Sequence, residues 1–160
     1  MNVLRQALAW AIIAGLLSLP VMWWNAGRAS EDRDFAMTFF GAHLPVEQVL
    51  ASRRWHGDWS GWGCTFAVVT LNDTAPSRPP SWVDERFRFG GAWQPAPQRT
   101  SEAVRDTLEV CADPMPPPAA LAMDAALVRS DTWMARDAGG EIAMIYAPKS
   151  HLAAWVRYGD

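Results

Sequence analysis

The twelve residues from Arg53 to Cys64, RRWHGDWSGWGC, hold most of the side chains in this chain that could do chemistry. His56 and Asp58 stand two apart, among Trp55, Trp59, Trp62 and three glycines. Used catalytically, His56 would serve as a general base with Asp58 or Asp73 orienting its ring, the constellation of a hydrolase. Residues two apart share one face of any extended strand, so the spacing alone is not distinctive. The nearby Trp59-Ser60-Gly61 lacks the first glycine of a nucleophile elbow. A Cys64 nucleophile conflicts with the pairing expected of that cysteine below. Used for binding, Trp55, Trp59 and Trp62 beside polar groups make a stacking platform for sugar rings. The plain structural reading is a glycine-rich loop between two strands, its tryptophans covering the core or resting near a membrane surface.

The remaining candidates are sparse. His43, His56 and His151 are scattered and match no H-x-x-x-H or H-E-x-x-H pattern, so no metal site is expected. Gly61, Gly63 and Gly90-Gly91 do not form a phosphate-cradling loop, and no cofactor is expected. Asn72-Asp73-Thr74 fits the glycosylation pattern and is equally a turn.

Around these residues the apolar pattern outlines the elements. Ser30-Glu31-Asp32 starts like a helix, with a capping hydroxyl and acids in the first turn. Phe35, Ala36, Phe39 and Phe40 give that helix an apolar face, and Gly41 a stop. VEQVLASRRW, 46 to 55, fits a strand or a helix. CTFAVVTL, 64 to 71, is β-branched and aromatic and reads as a strand, with Asn72-Asp73 turning after it. The proline-rich stretch 75 to 97 reads as ordered loop, with ERFRFGG forming a short edge strand. Thr100 or Ser101 caps a helix towards Val110. PMPPP, 114 to 118, ends it, and Pro118 suits the first turn of another helix through Val128. TWMARDAGGEIAMIYAP reads as two strands joined around Gly139-Gly140, and KSHLAAWVRYGD as a short helix. The sum is an α+β domain: a small, mainly antiparallel sheet with two or three packed helices, preceded by one transmembrane or signal helix.

That leading helix comes from Ala7 to Trp24, 18 residues without a charge. At 1.5 Å per residue they reach roughly 27 Å, near the thickness of a bilayer's hydrocarbon. Trp23 and Trp24 stand where an aromatic belt anchors a helix. The nearest small-x-small cleavage site, Gly27-Arg28-Ala29, carries an arginine in the middle, while Pro20 resembles the close of a signal's apolar core. An uncleaved anchor is the leading expectation and a cleaved signal the alternative. The division is a cytoplasmic lead over 1–6, the anchor or signal core over 7–24, a juxtamembrane linker over 25–34, and one exported domain over 35–160. Arg5 holds the lead in the cytoplasm by the positive-inside rule, so the domain is placed in the periplasm.

Arg5 and Arg28 are the only charges before Glu31, which leaves 12 basic and 17 acidic residues beyond them. A formal charge of −5 speaks against nucleic acid as a partner. Lys149 is the one lysine, so the arginines read as compositional bias rather than as function. In an exported domain Cys64 and Cys111 are expected to form a disulfide, since 47 positions without a histidine at ligand spacing make a poor metal motif. Together these features favour a single-pass inner-membrane protein whose periplasmic domain interacts, without catalysis, with the membrane or another envelope protein. A periplasmic hydrolase using His56 and Asp58, or a glycan-binding module using Trp59 and Trp62, are the alternatives.

Overall fold

A computed structural model describes residues 32–55, 63–83, 87–96 and 102–159, with Gln6, Trp10 and Gly15 as isolated positions. His56, Asp58, Trp59 and Trp62 lie outside the described residues, as do Ser30, Thr100, Ser101 and all of 7–24 except Trp10 and Gly15. Among the described residues no helix is long and apolar enough to cross a membrane.

The chain runs α1 (Arg33–Phe40), β1 (Val46–Arg53), β2 (Cys64–Leu71), β3 (Trp82–Val83), β4 (Arg88–Phe89), β5 (Gln94–Pro95), α2 (Glu102–Ala112), α3 (Pro117–Leu127), β6 (Trp133–Arg136), β7 (Ile142–Ala147), a 3-10 turn (Pro148–Ser150) and β8 (Leu152–Tyr158). Six strands form one sheet in the order β1-β2-β8-β7-β6-β5, every pair antiparallel. With three helices packed on it, the domain is α+β with a mainly antiparallel sheet.

Both faces of the sheet are covered. On one, Phe66, Val68, Ile145, Leu152, Ala154 and Val156 meet Leu108 and Cys111 of α2 and Met115, Ala119, Met123 and Ala126 in and before α3. On the other, Ala67, Val69, Met144, Tyr146, Ala153 and Trp155 meet Phe35, Ala36, Phe39 and Phe40 of α1 and Phe89 of β4. Consecutive residues of an inner strand therefore face two different cores, and β2, β7 and β8 carry unbroken apolar runs instead of alternation.

This double covering overturns the helix expected over KSHLAAWVRYGD. After one 3-10 turn, His151 takes a left-handed conformation (φ 51°) that breaks the turn, and Leu152–Tyr158 becomes a central strand. Paired small residues, Ala153 and Ala154, resemble helix formers until each is seen to face its own layer. The ERFRFGG strand is corrected in place: Arg88–Phe89 pairs with Trp82–Val83 as a separate two-stranded ribbon laid over the sheet. Phe89 is fully buried there. The segment 46–55 resolves as a strand through Arg53, and two register shifts against β2 account for its poor alternation.

Local chemistry sets the helix ends. The cap of α1 is Asp32 rather than Ser30: its carboxylate accepts from the N–H groups of Asp34 (3.0 Å) and Phe35 (3.2 Å). The next free N–H, of Ala36, donates to Ser52 Oγ at 3.0 Å, and that hydroxyl donates to the Asp32 carbonyl. Thus the start of α1 is fastened to the end of β1. Pro116 caps α3, and Pro117 and Pro118 occupy its first turn, where a missing N–H costs nothing. Asp137 Oδ1 accepts from Ile142 N–H (2.9 Å) and Gly140 adopts φ 78°, which closes the expected hairpin between β6 and β7.

Candidate functional site

Arg53, Arg54 and Trp55 leave the sheet together at one end of β1. Antiparallel pairing brings the start of β2 and the finish of β8 to the same end: Arg53 lies opposite Phe66, Thr65 opposite Arg157, and Cys64 opposite Tyr158. Trp55 N–H donates to Thr65 Oγ1 at 2.9 Å, and Gly159 N–H to the Gly63 carbonyl at 2.9 Å. The Trp55 ring packs directly on Gly63, where an added Cβ would stand 2.3 Å from the indole. Arg53 holds its guanidinium 5.8 Å from the Trp55 ring centroid, and Arg54 lies 5.7 Å from that of Phe87. Both arginines thus lay the guanidinium itself over an aromatic ring, a cation–π arrangement. Neither has a carboxylate partner among the described residues. Arg157 does, Glu141 at 3.8 Å, though such an exposed pair contributes little.

This packing gives a direct test. Gly63→Ala must push the Trp55 indole off its seat, so a loss of about 1–3 kcal/mol is expected in a denaturant titration. Near-wild-type stability would mean that the indole does not rest on Gly63.

Beside this end, a cleft of about 330 Å³ runs along β1 and is lined by Val49, Leu50, Ala51, Arg53, Phe66 and the two prolines Pro114 and Pro116. Its walls are aliphatic side chains, the Phe66 ring, two prolines and edge-strand backbone, with Ser52 and Arg53 as its polar residues. No nucleophile–base pair lines it.

The disulfide expected between Cys64 and Cys111 is present, with 5.6 Å between Cα atoms. It ties the first residue of β2 to the penultimate residue of α2 and so holds that helix on the sheet. Trp55 is the only member of the tryptophan set within the described residues. It is half-buried, with one side given to Gly63 and a guanidinium over the ring. His43 stacks on Trp82 (4.6 Å between centroids), and His151 Nδ1 lies 3.0 Å from the Leu71 carbonyl. Both therefore serve packing and turn geometry. Asn72 accepts from Thr74 N–H (2.9 Å) and Oγ1 (2.6 Å), so Asn72-Asp73-Thr74 is an exposed Asx turn. Among the described residues no group of three or more His, Cys, Asp or Glu could hold a metal ion.

Two features went unread in the sequence. One is the paired arginines, set aside as compositional bias. Their signal was position, two cations and an indole at the very end of a strand. The other is an aromatic cluster on the α1 face, where Phe35, Phe39, Phe87, Phe89, Trp82 and Trp155 meet edge-to-face or stacked. In the same layer the Tyr146 hydroxyl donates to the Pro76 carbonyl at 2.5 Å, and burial pushes its pKa up to about 12. An unfolded tyrosine ionises near 10, so between pH 10 and 12 the unfolded chain loses a proton that the native state keeps. Stability should be unaffected by this group below pH 10 and fall through that window. Tyr146→Phe is expected to flatten the fall, and an unchanged alkaline slope would contradict it.

Comparison with protein-family models, with curated proteins and with solved structures finds no match.

Proposed function

We propose that this is an anchored envelope protein: residues 7–24 hold it in the inner membrane, and the domain beyond them works outside the cytoplasm by binding, without catalysis, another envelope component. The observation that carries this reading is the Cys64–Cys111 disulfide behind an 18-residue uncharged run, because structural disulfides belong to oxidising compartments. The β1 cleft supports a binding role, since an edge strand flanked by apolar walls suits an extended segment of a partner. Mild crosslinking in intact membranes followed by affinity capture tests the reading. A crosslinked species that recurs, and that is enriched over a control single-pass protein, is the expected result. A protein that runs only as an uncrosslinked monomer, with nothing enriched, would remove it.

A further inference from the structure

We propose that the Cys64–Cys111 bridge is a one-way switch on the β1 cleft. The cleft takes its binding shape only in the oxidised protein, so an extended apolar segment of a partner is bound only after the chain has left the cytoplasm. The inference deepens the binding reading above and rests on it.

Three observations carry it. The first is place. Cys64 and Phe66 stand two apart in one layer of β2, and Phe66 lines the cleft beside β1. Cys111 precedes Pro114 and Pro116, which form the facing wall. The bridge is thus a covalent tie between the strand wall and the proline wall. The second is what else holds the proline wall. Its backbone hydrogen bonds stay within its own segment: Met115 N–H donates to the Ala112 carbonyl at 3.1 Å, and Ala119 N–H to the Pro116 carbonyl at 3.0 Å. On α2, Thr107 Oγ1 donates to the Gly140 carbonyl at 3.3 Å, about one helical turn before Cys111. Leu108 and Met115 add apolar contact, which is non-directional and does not fix the spacing of the walls. The third is shielding. Cys111 is 0 % and Cys64 7 % exposed, so a formed bridge is screened from attack by an outside thiolate.

The step is thiol–disulfide exchange. The two thiols give up two protons and two electrons, and an incoming disulfide oxidant takes them up as two thiols. A reduced chain lacks the tie, and its β1 edge then offers a partner strand hydrogen bonds without an apolar seat.

The test follows amide hydrogen exchange in the full-length chain, well below its melting temperature. Wild type is compared oxidised, refolded with dithiothreitol, and reoxidised with glutathione disulfide. Over 49–53 and 112–119 the reduced chain should exchange faster by about tenfold or more, with β7 and β8 unchanged and full recovery on reoxidation. Crosslinking with affinity capture in intact membranes then compares wild type with the double variant Cys64→Ala, Cys111→Ala. The enriched species should be lost from the variant. Equal exchange in the two redox states overturns the switch. So does acceleration throughout the sheet, which would make the bridge a staple for the whole domain. Local loosening with the crosslinked species retained in the variant overturns the switch and leaves the binding reading standing. No enriched species with either protein removes the binding reading, and the switch with it.

Discussion

Replacing both cysteines, as Cys64→Ala with Cys111→Ala, is expected to lower the melting temperature by about 10–20 °C. The bridge closes a loop of sequence separation 47, and restricting the unfolded chain by that much is worth ~4 kcal/mol. Alanine is the suitable replacement because Cys111 is fully buried and Cys64 nearly so. A serine hydroxyl there would add a desolvation cost unrelated to the bridge. The loss should exceed the entropic figure if α2 also loosens, since Leu108 and Cys111 are among that helix's buried contacts with the sheet. Differential scanning calorimetry of the two proteins settles the size. An unchanged melting curve, with both thiols alkylatable in the native wild-type protein, would contradict the bridge.

Trp155→Ala should be as damaging. Trp155 is 1 % exposed in a central strand, touches Phe35, Phe39 and Phe87, and donates its indole N–H to the Arg88 carbonyl at 3.1 Å. Truncation leaves a cavity between the sheet and α1 and strands that carbonyl, for a cost of about 3–5 kcal/mol. Trp155→Phe keeps most of the ring contacts and loses mainly the hydrogen bond, so about 1–2 kcal/mol is expected. The ordering Ala well below Phe, and Phe below wild type, is the diagnostic outcome in urea titrations. Two variants within about 0.5 kcal/mol of wild type would mean that Trp155 does not hold the ribbon and α1 to the sheet. With ordinary domains stable by only about 5–15 kcal/mol, Trp155→Ala combined with loss of the bridge should leave little folded protein.

These two lesions also mark where sequence reasoning succeeded and where it stopped. The bridge was legible because compartment chemistry needs only two cysteines and a preceding apolar run. Strand β2 was legible from CTFAVVTL, and the β6–β7 hairpin from Gly139-Gly140, because local propensity and the fold agree there. Around Trp155 they disagree. The run LAAWVRY alternates between two buried layers, and alternation is visible in sequence only when one face is wet. The aromatic ribbon was hidden by its prolines, which argued for loop, while Trp82, Phe87 and Phe89 were filling the second layer. At the candidate site, the loop drew attention through His56, Asp58, Trp59 and Trp62, which lie outside the described residues. The arginines beside it gained meaning only when the fold laid them over Trp55 and Phe87.

The most direct measurement is the intact mass and membrane behaviour of the full-length protein expressed in a bacterial host. Membrane and periplasmic fractions are separated, extracted with carbonate, and alkylated without reductant. The anchored reading requires a carbonate-resistant membrane species at the uncleaved mass of 17.7 kDa, with no alkyl group on Cys64 or Cys111. A soluble periplasmic species shortened to begin near Ser30 would contradict it, and would make residues 7–24 a discarded signal.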